Sequence, residues 1–459
     1  MSYNFRPYDQ EQMYLMPPSV AEWVPDDSLA RFISETMDEL DRQKKLARFY
    51  QKYRRDGWGS AAYHPLMMVK VLLYGYCLGV TSSRKLAQAL ENDVSFRFLA
   101  ANLQPDFRTI SDFRKDNLGA LKKLFTQVLE LCREAGLAKM GRVALDGRRV
   151  AGNAALDQNR TLKGIKAEVS KLLKEAEQKD AEEDKRYGKK NRGDELPEQL
   201  RTREGRLARL KEARLRLQEK ERRAQEQQLA KIDKRRQEEA ATGKKKRGRK
   251  PRPPEEVTNE EAKANITDPD SRILKTRRGW LQGYNSQAMA ECESQVIVAQ
   301  DVTQEENDKN QLEPMLNRCQ EQAGSKPAQL LADAGYWSEE NAGMEDESTE
   351  LFIATQKDYK QRRQLKEKGP PRGRIPKDAT PRDLMERKLL TKRGKAAYRQ
   401  RGSSIEAVFG QMATRGLTRF CLRGKEKVRA EWSLWCTTHN LLKLWRSGSP
   451  PAGARLNTS

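Results

Sequence analysis

The chain has 459 residues, with 89 Lys and Arg against 66 Asp and Glu, for a formal net charge of +23. That length calls for more than one domain, and the positive surplus calls for a polyanionic partner, nucleic acid ahead of an anionic membrane. Two histidines and six scattered cysteines with no C-x-x-C pair argue against zinc ribbons, dithiol motifs and a Ser-His-Asp triad, so any metal must be held by carboxylates, which favours Mg2+ or Mn2+.

In chain order, Arg6 to Trp23 is irregular and rich in Pro, Tyr and Met, and the opening Met1 to Arg6 lacks the basic-then-apolar order of a signal peptide. Asp26-Asp27-Ser28 predicts a cap for a helix through Leu29, Phe32, Ile33 and Met37. His64-Pro65 predicts the start of a buried helix through Tyr76. The apolar stretch Leu66 to Val80 is broken by Lys70 and is too short to span a bilayer. Ser82-Ser83 predicts the cap of the next helix, through Leu86, Ala89 and Leu90. Thr109 to Asp112 predicts the start of a third, through Phe113, Leu118, Leu121 and Phe125. Basic residues between these helices (Arg84, Lys85, Arg97, Arg108, Arg114, Lys115) fit a helix-turn-helix-type DNA-binding module, or a plain bundle with a solvated basic face.

From Arg142 the pattern becomes that of strands. Residues 142–151 alternate and predict a turn at Asp146-Gly147; Trp280 to Ala290, Gln295 to Gln300, Gln329 to Ala332 and Leu351 to Thr355 are further strands. Strands first and then strands alternating with helices predict an α/β or α+β domain. Between the first strand and the second lies a long interruption, residues 160–262, with Tyr187 as its one aromatic residue. Residues 161–260 hold 31 Lys and Arg against 21 Asp and Glu, so ten of the +23 charges come from here and the rest are spread elsewhere. Leu200, Leu207, Leu210 and Leu217 make only a broken heptad, which predicts one or two long solvated helices rather than a coiled coil. Lys244 to Arg252 predicts a disordered basic loop; its Arg247-Gly248-Arg249 is a weak match to a minor-groove-gripping hook. A second basic loop, Lys366 to Lys377, could follow a DNA strand or simply be a surface loop. Helices over 405–412 and 430–445 should cover the sheet. Trp432, Leu434, Trp435, Leu441, Leu442 and Trp445 read as core, and His439 as a core or cap residue.

Three acids stand out. Asp146 ends the run Val143-Ala144-Leu145, Asp333 ends Leu330-Leu331-Ala332, and Glu406 sits on the helical stripe Ile405, Val408, Phe409, Met412. Two strand-end aspartates and a helical glutamate can gather around hard divalent cations, and a pair of ions would serve phosphodiester chemistry without a histidine base. Each acid alone has a plainer reading: a turn aspartate, a strand-to-loop exit and a surface glutamate.

With these acids the chain resembles the DDE transposases of bacterial insertion sequences. The likeness runs through Gln10 to Pro18, Tyr63-His64-Pro65, Thr109 to Arg114, Ala144-Leu145-Asp146-Gly147-Arg148-Arg149-Val150, Thr267 to Arg272, Gly279 to Asn285, Leu331 to Tyr336 and Arg401 to Gly410. The resemblance implies a helical N-terminal DNA-binding domain (1–135) before an RNase H-like mixed-sheet catalytic domain. That catalytic domain would comprise first strands at 136–159 and a remainder at 263–446, interrupted by the charged 160–262 insertion and followed by a disordered tail, 447–459. It implies that Asp146, Asp333 and Glu406 bind two Mg2+ or Mn2+ ions, with Tyr398 and Arg401 as the Tyr and Arg that precede the glutamate. The family's basic residue seven beyond the glutamate is here Ala413; Arg415 is the nearest substitute and should face elsewhere. The expected function is binding of terminal inverted repeats, metal-dependent cleavage and strand transfer into target DNA by a homodimer or larger synapse. The protein is expected to be cytoplasmic, nucleoid-associated and free of membrane. The rivals are a catalytically decayed DNA-binding repressor and a structural protein built on the 160–262 helices.

Overall fold

The computed structural model describes residues 19–53, 61–161, 163–165, 167–168, 198–242, 253, 263–276, 279–376 and 378–448. The opening residues to 18, the basic 244–252 stretch and the tail beyond residue 448 lie outside the described residues.

The helical unit begins with α1 (Leu29–Arg42), which Ser28 caps by accepting from the Arg31 N–H at 3.3 Å. Helix α2 (Pro65–Leu78) starts on a proline, whose missing N–H costs nothing at a first helical position, and it stops at Gly79 in the left-handed region (φ 79°). It is apolar nearly all round and correspondingly buried, as a central helix must be. Helices α3 (Ser83–Asn92), α4 (Val94–Leu99), α5 (Phe107–Asp116) and α6 (Leu118–Glu134) follow. The helix expected from Thr109 through Phe125 is in fact two. It starts earlier because Asp106 caps the Thr109 N–H at 2.7 Å, and it breaks at Asn117, whose side chain donates to the Phe113 carbonyl. Among the described residues no single helix is long and apolar enough to cross a membrane; α2 and α3 would pass by length and composition only as a pair bent by 99°, and most of α2 is packed in the core.

The main sheet is built on β1 (Arg142–Ala151). With β4 (Arg272–Thr276), β5 (Gly279–Glu291), β6 (Ile297–Thr303), β7 (Gln329–Ala332) and β8 (Glu350–Ile353) it runs β4-β5-β1-β7-β8, with β6 also paired to β5. The β1–β5 and β5–β6 pairs are antiparallel, while β1, β7 and β8 are mutually parallel. Parallel strands buried on both faces explain the unbroken runs Leu330-Leu331-Ala332 and Leu351-Phe352-Ile353. The turn expected at Asp146-Gly147 is absent: β1 pairs continuously with β5 from Val143 to Ala151. Gly147 is there for space, since a Cβ would come within 2.4 Å of Gln287 and 2.6 Å of Asp308.

Helix α14 (Lys425–Arg446) packs between the sheet and α6, so helical unit and sheet share one continuous core. Trp432 and Trp435 are fully buried, and the Trp432 indole donates to the Gln287 carbonyl at 3.1 Å, which makes them packing residues. His439 is buried against the Gln295 carbonyl, and burial pushes its pKa down to about 3.

The long excursion after β1 is tied at its base. Strand β2 (Asn159–Thr161) pairs antiparallel with β3 (Lys263–Asn265). The charged segment contains α7 (Glu198–Thr242), 45 residues long. Its Leu210, Ala213 and Leu217 pack with Ile165, Ala264 and Ile266 in a small separate core. That i, i+3, i+7 stripe is one short docked patch, and most of the other described side chains of α7 are exposed.

Candidate active site

Strand register sets the first two acids. Parallel pairing of β1 with β7 runs to Leu145 opposite Ala332, so Asp146 and Asp333 come next on adjacent strands, at the carboxyl edge of β7. Open α/β sheets present their chemistry at such edges. Each carboxylate accepts a local backbone N–H at 2.8 Å: Asp146 from Gly147, Asp333 from Gly335.

Glu406 arrives from the other side of the chain's last third. Helix α12 (Lys392–Arg401) runs into a π-helical turn, Gly402–Glu406, before α13 (Ala407–Thr414). Ser404, buried in that turn, donates to the Gln400 or Arg401 carbonyl, at 2.8 and 3.0 Å. Ile405, Val408, Phe409 and Met412 are buried as expected, and Glu406 is left half-exposed against Arg401 and Arg362. Widened helical turns of this type recur at functional sites.

One guanidinium joins two of the three acids, Asp146 and Glu406. Arg401, whose side chain is only 4% exposed, reaches Asp146 with Nη1 at 3.2 Å and Glu406 with Nη2 at 3.1 Å. Nη2 also lies 3.3 Å from Asp358, the first residue of α10 (Asp358–Glu367). Tyr398, one turn earlier on α12, donates its hydroxyl to the same Asp358 carboxylate at 3.2 Å. Arg362, one turn along α10, spans Asp358 at 2.9 Å and Glu406 at 3.0 Å. Asp358 therefore joins Tyr398 and Arg401, and of these two Arg401 is the one that contacts Asp146 and Glu406.

Asp308 is a fourth carboxylate that the sequence did not disclose. It follows β6, and its Oδ1 accepts from Asn285 and Gln287 of β5 at 2.7 Å each. A Cβ placed on Gly147 or Gly335 would lie 2.6 or 3.5 Å from its carboxylate oxygens, so it stands between the chain turns that carry the two aspartates. A usable signal did exist. Asn285 and Gln287 are polar, two apart, and thus on one face of a strand that is otherwise buried.

The electrostatics are those of an under-compensated acidic cluster. Burial, then the neighbouring Asp333, pushes the Asp146 pKa up to about 7 against the pull of Arg401. Burial raises Asp333 as well, with Arg401 opposing and Asp308 and Asp358 adding. Burial works against the Arg401 charge, but Tyr398, Asp146, Asp333 and Asp358 hold its pKa above the ordinary arginine value.

Among the described residues no three His, Cys, Asp or Glu side chains are already gathered as a metal cage. Arg401 stands between Asp146 and Glu406 instead. The donors still fit a hard cation, being carboxylate oxygens, and a divalent charge would relieve the raised pKa values of Asp146 and Asp333. Arg415 does face elsewhere: it lies over the Trp435 ring at 5.5 Å and reaches Thr438. The second basic loop begins slightly later than expected, because α10 keeps Lys366 and ends at Glu367; the described residues from Lys368 to Ala379 are irregular, with Lys377 outside them.

Residues 18–116 match a family model described as a transposase domain (DUF772). Residues 360–445 match one described as a transposase DDE domain, which spans Tyr398, Arg401 and Glu406 but neither aspartate. No curated protein and no solved structure matches the chain.

Proposed function

The chain is a DDE transposase of the insertion-sequence type, and from that premise we propose that it binds the terminal inverted repeats of its element and catalyses cleavage and strand transfer with Asp146, Asp333 and Glu406. The observation that carries this reading is Arg401 touching both Asp146 and Glu406 while Asp146 and Asp333 sit on adjacent strands. A mixed sheet with the first aspartate on its central strand, the second on the neighbouring parallel strand and the glutamate beside a covering helix supports an RNase H-like catalytic domain.

Asp146, Asp333 and Glu406 would hold the divalent ions, which when bound supply charge neutralisation and an activated water at neutral pH. The chain's own groups have separable tasks. Asp358, fixed by Tyr398 and Arg362, clamps Arg401, and Arg401 in turn aligns Asp146 with Glu406. Asn285 and Gln287 hold the Asp308 carboxylate in place by donating to its Oδ1. In the first reaction water attacks the phosphorus and the 3′ oxygen leaves; in the second that 3′-OH attacks a target phosphodiester, forming a new P–O bond while the target strand's 3′ oxygen leaves with the proton. The two transfers share one in-line geometry, so one set of carboxylates serves both. The exposed basic segment that follows α10 in the chain suits the DNA strand being cut. Pairing of two element ends calls for at least two copies of the chain.

The repressor alternative is not favoured, because the sequence retains all three carboxylates. The test is incubation of purified protein with end-containing DNA and Mg2+. The wild type should nick and join, while Asp146→Ala and Glu406→Gln should bind the ends but cut at least a hundredfold more slowly. Strand transfer at wild-type rate in either variant refutes the assignment.

A further inference from the structure

Away from the acids, a groove of about 450 Å³ opens between the helical unit and the end of β1. Three arginines and no carboxylate line it: Arg84 from α3, Arg114 from α5 and Arg419, whose backbone bridges to Ala151 at the end of β1. One wall is the N-terminus of α3. Ser82 holds the cap position yet makes no side-chain capping hydrogen bond, so the first N–H groups of a ten-residue helix have no side-chain cap. Arg114 lies beneath, 4% exposed. Its Nη atoms are spent on Tyr76, Thr81 and Ser83, while its buried Nε has no partner. The buried Glu431 compensates part of the Arg114 charge from below, taking the Cys421 and Leu422 N–H groups. On the rim, Phe107 is 38% exposed, with the Arg84 and Arg108 guanidinium carbons 5.2 and 5.8 Å from its ring centre. Arg84 and Arg419 are exposed, and their side chains make no hydrogen bond or ion pair among the described residues.

We propose that this groove is a DNA-backbone site: a phosphate sits at the α3 N-terminus between Arg84 and Arg419, with the adjoining nucleotide against Phe107. An uncapped helix start supplies oriented N–H donors, arginines supply charge, and an aromatic face flanked by guanidiniums suits a base or sugar. The inference rests on the DNA-cutting function proposed above and adds a distance to it. Asp146 and Ala151 are five residues apart on β1, roughly 16 Å at about 3.3 Å per residue. A strand held at both places is thus gripped about five nucleotides from the bond being cut, at ~3.4 Å per nucleotide.

The test measures binding of the full chain to a short random-sequence duplex across a salt series, with circular dichroism to confirm folding. Each phosphate contact contributes about 0.9 to the slope of log K against log salt. Loss of that one phosphate in Arg84→Ala/Arg419→Ala should therefore lower the slope by about 0.9, and Phe107→Ala should weaken binding about tenfold at fixed salt. Folded variants that keep the wild-type slope and affinity, in a protein that still nicks DNA with Mg2+, overturn the groove and leave the proposed function standing. Weakened variants of a protein that nicks nothing uphold the groove and overturn the proposed function. A wild type that does not bind the duplex overturns both.

Discussion

Replacing Asp146 by Asn should make the metal-free protein more stable at alkaline than at acid pH, relative to wild type, while removing its activity. The side chain is 20% exposed, and burial and Asp333 raise its pKa from 3.8 to about 7. The folded state therefore holds this proton more tightly than the unfolded chain does. Wild-type stability is penalised as pH rises from about 4 to about 7, with the penalty complete above 7 and gone below 4. At 1.36 kcal/mol per pH unit, the gap between 3.8 and about 7 corresponds to ~4 kcal/mol as a ceiling. Asn keeps the size of the side chain and can still accept the Gly147 N–H, but it cannot ionise. The assay is urea unfolding of both proteins in a chelator at pH 4 and pH 8. The stability difference between variant and wild type should move in the variant's favour by up to ~4 kcal/mol between the two pH values. Adding Mg2+ at pH 8 should restore the wild type alone. Stability curves that stay parallel from pH 4 to pH 8 refute the claim that Asp146 is an under-compensated buried acid.

Gly147→Ala should cost about 1–3 kcal/mol in thermal or chemical unfolding, because its Cβ would press on Gln287, Asp308 and Asn285; a neutral result would mean that this crowding is not real. Asp308→Ala leaves Asn285 and Gln287 short of an acceptor, so it should destabilise by about 1–3 kcal/mol and slow DNA cleavage at least tenfold, read in a plasmid-nicking assay. Tyr398→Phe removes one hydrogen bond to Asp358 and should lower the cleavage rate severalfold without changing DNA affinity. Trp432→Ala should cost about 3–5 kcal/mol with no selective effect on DNA binding, as expected of a core residue and not of a base-stacking one.

Much of the architecture was visible in local chemistry. Ser28, Pro65 and the unbroken runs before Asp146 and Asp333 each act within a few residues, so caps, helix starts and buried strands could be placed from them. What failed depended on neighbours distant in the chain. Asp146-Gly147 resembles a turn until β5 is in place; the glycine then answers to Gln287 and Asp308, more than a hundred residues away. Asp308 itself lies in a polar stretch after β6 that looks like any solvated loop, and only the Asn285 and Gln287 pair marks it. Asp358 and Arg362 were missed for the same reason, since their partners Arg401 and Glu406 lie about forty residues on, across an irregular basic loop. The resemblance pointed to Arg401 as a site residue, but not to its position between Asp146 and Glu406, because spacing alone cannot show which counter-charge stands between two carboxylates.

The most direct measurement is anomalous diffraction from crystals of the protein soaked in Mn2+. Manganese should appear against Asp146 and Asp333, with Glu406 drawn in and Arg401 moved off at least one of its carboxylates. Crystals that take up manganese elsewhere, or none at this site while Arg401 still joins Asp146 to Glu406, would contradict the account.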